Sequence, residues 1–326
     1  MGAAPQEPIV SIVINNHNYD QFLRDAVDSV LGQTYPATEV VVVDDGSTDG
    51  SRSTIRSYGD RVVPVLKENH GQGSAFNAGF AASRGSIICL LDADDWFLPE
   101  KVGEVVRSWR DFPAAGWCFH ALTRRDTRGA SLLPFRAGAT REIDFRAALR
   151  RAEMPTFAPP TSGLCFSRDL LRQLLPMPEL MGTSADRYLK LGAIASSKGI
   201  YLDRELAIQR IHGHNAYSFR PDRLDVGAKS LVFSSCWLRS RFPDLRRFSN
   251  KQFGTGLGLY WRMGEVEERA RGAVETYLAS LGLRERCGVM LRALYHSRPW
   301  LSEARSRVAW GGGPRRLTAS GTDTRP

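Results

Sequence analysis

The sequence predicts an α/β fold, in which a mostly parallel twisted sheet is flanked by helices and followed by a C-terminal helical extension. Two observations support this prediction. Short apolar runs alternate with segments of helical periodicity through the first third of the chain. Residues 87–91 are apolar without interruption, which is typical of a strand buried on both faces of a parallel sheet.

Each element in this region has its own signal. Residues 9–14 predict a strand, and apolar side chains at helical spacing over 22–31 predict a helix that "GQTYP" ends. The strand "EVVVVDD" precedes a helix that Ser47 or Thr48 can cap. The run "RVVPVL" predicts a third strand at a sheet edge, because its proline lacks a backbone donor. The remaining predictions are a helix at 75–82, a strand at 86–91, a helix at 185–195 and a short strand at 199–202.

The composition is that of a soluble globular protein, with 42% hydrophobic and 24% charged residues. No apolar stretch approaches the ~18–20 residues that span a bilayer. The N-terminus lacks the basic and apolar regions of a signal peptide. The five cysteines are scattered without metal-type spacing, so we interpret them as reduced thiols and expect a cytoplasmic protein.

The net charge of +9 is unevenly distributed. Residues 1–200 hold 22 Lys and Arg against 23 Asp and Glu, whereas residues 201–326 hold 22 against 12. The basic surplus therefore belongs to the C-terminal part, where Arg alternates with aromatic and aliphatic residues. Two interpretations remain open, namely a helical cap with a solvated Arg face and a surface that lies peripherally on an anionic membrane.

Polar segments follow three of the predicted strands: "NNHN" at 15–18, "DDGSTD" at 44–49 and "DADD" at 92–95. Ligands of an open parallel sheet bind outside the carboxyl ends of its strands, so these segments predict one binding rim. Two carboxylates ~5 Å apart repel by roughly 3 kcal/mol at an effective dielectric of ~20. A positive ligand is therefore expected there, unless Asp94 or Asp95 only caps the following helix.

These segments, in this order, resemble the inverting family-2 glycosyltransferases with the GT-A fold. The resemblance rests on "VSIVINNHNYDQFLRDAVDSVLGQTYP", "EVVVVDDGSTDGS", "ENHGQGSAFNAGFAASRGSIICLLDADDWFLPEKV", "SADRYLKLGA" and "QRIHGHN", over about residues 9–216. It implies transfer of a hexosyl or N-acetylhexosaminyl group from a nucleotide-diphosphate donor, a UDP-sugar, to a saccharide or lipid-linked acceptor. The implied setting is the synthesis of surface polysaccharide or lipopolysaccharide.

The resemblance also implies the binding residues. It places Mg²⁺ or Mn²⁺ on Asp92, Asp94, Asp95 and His212. Asn16 and His17 stand where the family usually has Thr or Ser and then Tyr, and Phe76 stands where it often has Arg. The donor would contact Asn15, Asn16, His17, Asn18, Asp45, Asn69, Gly73, Asn77, Asp92, Ala93, Asp94 and His212.

The catalytic base implied by the resemblance is Asp186, at the predicted start of a helix whose N-terminus favours the ionised carboxylate. Ala185 replaces the acid that precedes it in the family. The alternative is that Asp186 caps the helix or pairs with Arg187 or Lys190. The further candidates are the acids Asp169, Glu179 and Asp203, the phosphate contacts Arg210 and His214, and the acceptor-side Thr161 and Ser162.

The expected organisation is a GT-A catalytic domain over 1–218, with a nucleotide-binding part at about 1–115 and an acceptor part at about 116–218. A helical extension covers 219–304, and a disordered basic tail covers 305–326. The alternative function is a basic nucleic-acid-binding or scaffold protein on a degenerate GT-A fold. Intact Asp92, Asp94 and Asp186 argue against a scaffold, and the chain lacks a nucleic-acid recognition motif.

Overall fold

The computed structural model describes residues 7–126, 129–131, 138–155, 159–178, 185–213, 215 and 224–298. Its strands are Val10–Asn16 (β1), Thr38–Asp45 (β2), Val63–Lys67 (β3), Ile87–Asp92 (β4), Trp96–Phe97 (β5), Trp117–Asp126 (β6), Arg141–Ile143 (β7), Leu164–Ser167 (β8) and Gly199–Ile211 (β9). Its helices are Asp20–Leu31 (α1), Ser51–Arg56 (α2), Gln72–Ala82 (α3), Lys101–Asp111 (α4), Arg146–Arg150 (α5), Arg168–Leu174 (α6), Ala185–Ser196 (α7), Leu224–Arg241 (α8), Arg246–Met263 (α9), Glu268–Ala279 (α10) and Leu283–Ser297 (α11).

The strands form one mixed sheet in the order β3-β2-β1-β4-β8-β6-β9-β5, with β7 paired to β9. The first four strands are parallel, and β8 runs antiparallel to both β4 and β6. The predicted parallel half is confirmed, and β3 lies at the edge, where Pro64 is tolerated. The carboxyl ends of β1, β2 and β4 therefore meet at one rim.

Helices cover both faces of this sheet. In β1 the side chain of Val13 joins the core under α3, whereas Ile12 and Ile14 join the core under α1 and α4. The predicted C-terminal helices are present, and Phe248 and Phe253 of α9 are fully buried in the same core as α7. None of the described helices combines the length and apolar character that crossing a bilayer requires.

Two local predictions need correction. The N-cap of α2 is Gly50 and not Ser47 or Thr48, and the side chain of Asp49 before it accepts the backbone N–H of Ser51. The strand expected at 199–202 continues to Ile211, since its second half pairs with β6 beyond a bulge near Ala121. The tail predicted at 305–326 lies outside the described residues.

Candidate active site

A cavity of about 310 Å³ opens at the rim formed by β1, β2 and β4. A larger one, of about 490 Å³, lies at the amino end of β4, but the clustered carboxylates all belong to the smaller cavity, which we take as the site. The smaller cavity is lined by Asn15, His17, Tyr19, Asp45, Asn69, Gly71, Gln72, Asp92, Ala93, Asp94, Asp95, Gln209 and Asn215.

Three carboxylates meet in this cavity where β4 ends. One side-chain oxygen from each of Asp92, Asp94 and Asp95 lies within 4.8 Å of the other two. Within the described ranges they are the one group of side chains that could hold a metal ion. The structure therefore brings together the three acids that the sequence singled out.

The cluster is buried, and its acids are hard to ionise together. Burial and the charge of Asp94 raise the pKa of Asp92 to about 7. Burial and the charges of Asp94 and Asp92 raise the pKa of Asp95 well above its usual range. Grouped carboxylate oxygens are the donors that Mg²⁺ and Mn²⁺ prefer, and a cation would relieve the repulsion. The residues thus fit a divalent ion held by Asp92 and Asp94, with Asp95 behind them.

Asp95 is fixed from inside the protein. Its carboxylate accepts the Ser162 hydroxyl at 2.6 Å and the backbone N–H of Arg210 at 3.0 Å. The Ser162 hydroxyl also accepts the backbone N–H of Asp92, and Thr161 is hydrogen-bonded to the Asp92 carboxylate. Asp95 therefore does not cap a helix, and Thr161 and Ser162 support the acids.

The Arg210 side chain packs behind the loop that carries Asp94 and Asp95. Its guanidinium lies between the rings of Phe22 and Trp96, at 4.6 and 4.7 Å from their centroids, and contacts the Asp25 carboxylate at 2.6 Å. Its Nε donates to the backbone carbonyl of Asp94. The structure thus gives Arg210 a positioning role.

His212 stands beside Asp94. Its Nε2 lies 3.1 Å from Oδ2 of Asp94, and its ring packs against that of Phe22. Asn215 donates to the same carboxylate oxygen at 3.2 Å. The sequence motif "QRIHGHN" thus contributes two side chains to the Asp94 carboxylate, of which that of Asn215 was not predicted. His214 lies outside the described residues.

The rest of the predicted donor pocket is built around Asp45. The Asp45 carboxylate accepts Lys67 Nζ and the backbone N–H groups of His70 and Gly71. It thereby fixes the loop that carries Asn69. The Asn69 side chain lies 3.0 Å from Nε2 of His17, so both side chains line the same wall.

Asn15, Asn16 and Asn18 of the first polar segment have different positions. Asn15 lines the cavity and donates to the Asp92 carboxylate at 2.6 Å. Asn16 is fully buried and donates to Asp44. Asn18 has a φ of 59° and its side-chain oxygen accepts the backbone N–H of Thr48 at 2.7 Å. Asn16 and Asn18 therefore hold the turn after β2 in place behind the cavity.

The turn after β2 approaches the Asn69 loop closely at Gly46. The φ of Gly46 is 75°, and a Cβ at this position would lie 2.5 Å from the backbone nitrogen of Asn69. Only glycine combines this backbone conformation with such a contact. Gly46 therefore allows two walls of the cavity to meet.

Two further predicted donor residues, Gly73 and Asn77, do not line the cavity. Asn77 donates to the backbone carbonyl of Met177 and accepts its N–H, at 2.9 and 2.8 Å. Both polar groups of Asn77 are therefore used to hold that loop. Gly73 is buried in the first turn of α3, one residue beyond Gln72, which does line the cavity. Phe76 is in the core, where an arginine would be costly to bury.

Asp186 occupies the first turn of α7 with its side chain 26% exposed. Its carboxylate lies 2.7 Å from Lys190 Nζ, which is one of the alternatives that the sequence left open. The Arg187 side chain instead binds Gln252. The charge of Asp186 adds, after burial and the charge of Asp94, to the raised pKa of Asp92, but Asp186 is not among the residues that line the cavity. Ala185 is fully buried and presents nothing to the cavity.

A family comparison agrees with this geometry. The sequence profile of Glycosyl transferase family 2 matches residues 11–175, which is just over half of the chain. The chain belongs to glycosyltransferase family 2. The matched region includes the sheet rim, the three clustered acids, Thr161 and Ser162.

Relatives of this family-2 glycosyltransferase match parts of the chain. An uncharacterized glycosyltransferase of Nostoc sp. is 34% identical over 220 residues, which are 63% of this chain and 66% of that protein. TuaG of Bacillus subtilis, named for teichuronic acid biosynthesis, is 35% identical over 100 residues, covering 29% of this chain and 40% of TuaG. An uncharacterized glycosyltransferase of Rickettsia prowazekii is matched over only 30% of its length.

Solved structures agree on the GT-A fold. TarS of S. aureus, in complex with UDP-GlcNAc, superposes with a TM-score of 0.60 at 16% identity, covering 92% of this chain and 88% of TarS. The mannosyltransferase PcManGT of Pyrobaculum calidifontis, in complex with GDP-Man and Mn²⁺, gives 0.52 at 18% identity, covering 95% and 89%. The fold predicted for this family-2 glycosyltransferase is confirmed.

Metal affinity is expected to rise with pH through about 7, the raised pKa of Asp92. Below this pH an incoming cation must displace a proton, so binding at about pH 6 should be roughly tenfold weaker than at about pH 8. Calorimetric titration with Mn²⁺ in two buffers of different ionisation enthalpy measures both affinity and proton release. Equal affinity and no proton release at about pH 6 would contradict the prediction.

The same raised pKa has a defined effect on the metal-free protein. Because the folded state holds the proton of Asp92 more tightly than the unfolded chain does, the stabilisation from this group is complete below its ordinary pKa of 3.8. It is lost as the pH rises from there through about 7.

Proposed function

We propose that this enzyme is an inverting, metal-dependent glycosyltransferase that uses a UDP-sugar. The observation that carries the proposal is the position of Asp92 and Asp94. Both line the cavity at the carboxyl ends of β1, β2 and β4, where parallel sheets bind ligands. The charge of Asp186 contributes to the raised pKa of Asp92. Asp92 and Asp94 would hold a metal-bound leaving group, and Asp186 would supply a base nearby.

Donor binding is proposed at the cavity wall of Asn15, His17, Asp45 and Asn69. The amino end of α3, at Gly71 and Gln72, lines the same cavity. Helix N-termini stabilise anions with their unpaired N–H groups, so this end suits the diphosphate. It also offers positive potential where Phe76 leaves no cationic side chain. A bound Mg²⁺ or Mn²⁺ would neutralise charge on the leaving diphosphate.

The transfer needs one group that accepts the acceptor's proton. We assign this role to Asp186, whose carboxylate takes the proton as the acceptor oxygen forms its bond to the anomeric carbon. The bond from that carbon to the diphosphate oxygen breaks, and its electron pair leaves with the nucleotide diphosphate. Lys190, whose Nζ lies 2.7 Å from it, orients the Asp186 carboxylate before the reaction.

The acceptor is proposed to be a saccharide or a lipid-linked saccharide, which receives a hexosyl or N-acetylhexosaminyl group during surface polysaccharide or lipopolysaccharide synthesis. The setting is supported by the name of TuaG, and the donor by the UDP-GlcNAc bound to TarS. We further propose a cytoplasmic enzyme in peripheral contact with an anionic membrane, because a lipid-linked acceptor lies at such a surface.

A thermal-shift screen with UDP-, GDP- and dTDP-sugars tests the donor. With Mn²⁺ present, a UDP-sugar at about 100 times its Kd should add about 2.7 kcal/mol of apparent stability, because it binds only the folded state. Omitting Mn²⁺ is the matched control and should remove most of the shift. A shift with GDP-sugars alone would overturn the UDP assignment. No shift and no donor hydrolysis in the whole panel would favour the scaffold alternative.

A further inference from the structure

The helix α11 carries an exposed apolar stripe. At 100° per residue its side chains fall within an arc of about 100°, which places them on one side of the helix. Leu283 is 80% exposed, Leu291 68% and Leu294 46%. A soluble surface rarely keeps so many large apolar groups together without a partner. We define the α11 stripe as Leu283, Cys287, Met290, Leu291 and Leu294.

The opposite side of α11 fixes the direction in which the stripe points. Val289 and Ala293 are buried against α9. Gly254 and Gly258 of α9 allow a very close approach, since a Cβ on either would lie within 3 Å of a backbone carbonyl of α11. The helix is therefore packed on the protein, and the stripe faces outward.

The charges beside the stripe are positive. Arg284 and Arg286 are exposed and, at 100° per residue, border the stripe on its two sides. The helix has one carboxylate, Glu285, which points away from the stripe and pairs with Arg239 at 3.0 Å. Arg298 follows the helix and is exposed too. Apolar side chains edged by arginine are typical of helices that lie in the headgroup region of a bilayer.

Charge complementarity decides between possible occupants. A second copy of this chain, placed stripe to stripe, would bring the two sets of arginines together. An anionic lipid surface would instead accept the leucines among its acyl chains and pair its phosphates with Arg284 and Arg286. The chain continues beyond Arg298 for 28 residues with five arginines and two acids, so its end adds to the positive charge.

We propose that the α11 stripe docks this protein on an anionic lipid surface. The proposal deepens the peripheral contact stated above, and its use for a lipid-linked acceptor rests on the proposed function. Vesicle binding needs neither donor nor acceptor. A failure of either proposal can therefore be recognised separately.

The test is flotation of the full chain with vesicles of phosphatidylcholine, with and without phosphatidylglycerol. The wild-type protein should float only with the anionic vesicles, and added salt should weaken this. The double variant Leu291→Glu, Leu294→Glu should reduce the floated fraction at least tenfold. Ile9 lies outside the stripe and is 43% exposed, similar to Leu294. The control variant Ile9→Glu should therefore float like the wild type.

Donor hydrolysis and the melting temperature report whether the variants stay folded, and both should match the wild type. Flotation of the double variant at the wild-type level would overturn the proposal, as would no binding of the wild type to anionic vesicles. Light scattering tests the other possible occupant, a second copy of this chain. A wild-type dimer that the double variant converts to a monomer would assign the stripe to a second copy instead.

Discussion

Asp186→Asn is expected to lower turnover by about 10²–10⁴-fold, the usual contribution of a general base. The amide keeps the shape of the carboxylate but cannot take the acceptor's proton. Donor and metal binding should survive, because those contacts are proposed at Asp45, Asp92 and Asp94. The measurement is kcat for transfer, with the donor Kd determined separately by thermal shift. Near-normal turnover would remove Asp186 from the mechanism.

Lys190→Met provides the matched control for this experiment. It breaks the same ion pair, 2.7 Å long, but leaves the Asp186 carboxylate in place. If the ion pair between Asp186 and Lys190 serves only to stabilise α7, both variants should lose stability and activity together. If Asp186 is the base, Asp186→Asn should lose far more turnover than Lys190→Met at similar melting temperatures.

Of the other candidate acids, Asp169 is an exposed partner of Arg172 and Asp203 accepts the Tyr201 hydroxyl.

Removal of the divalent ion is expected to abolish transfer. A metal stabilises the charge of a leaving diphosphate by several kcal/mol, which corresponds to roughly 10³-fold or more in rate. Dialysis against EDTA should therefore reduce transfer to background, and Mn²⁺ or Mg²⁺ should restore it. Full activity in excess EDTA would contradict the assignment of a metal to this site.

Asp94→Asn should have nearly the same effect without a chelator. The variant removes one charge from the cluster while its neighbours His212 and Asn215 can still hydrogen-bond the amide. We expect weaker Mn²⁺ binding and an unchanged or higher melting temperature of the metal-free protein, since one repulsion is relieved. Asp60→Asn, at an exposed position, controls for the loss of a charge. Unaltered Mn²⁺ affinity in Asp94→Asn would place the ion elsewhere.

The parallel half of the fold could be predicted because its signals are local. Strands β1, β2 and β4 are short apolar runs that end in polar residues, and their carboxyl ends must share a rim. The same logic predicts from the sequence that Asp45, Asp92 and Asp94 share one rim, and all three line the same cavity. A boundary such as the end of β9 was missed because pairing with β6 extends it.

The hydrogen bonds that hold the site residues in place could not be predicted in this way. Ser162 reaches Asp95 from a position 67 residues away in sequence, since β8 enters the sheet next to β4 in the antiparallel direction. No local pattern encodes that insertion. Asn77, a predicted donor residue, is likewise held by a distant partner, because Met177 lies 100 residues further along the chain. Long-range pairing therefore decides which polar residues bind ligand and which hold loops.

The wide sequence separation of the groups around Asp94 has a consequence for synthesis on the ribosome. Asp94 contacts His212 and Asn215, which follow it by 118 and 121 residues. At about 5–20 residues per second, Asp94 is translated roughly 6–24 s before His212. During that interval the nascent chain carries its clustered acids without the groups that later hold them. The site can therefore assemble only after translation has passed β9.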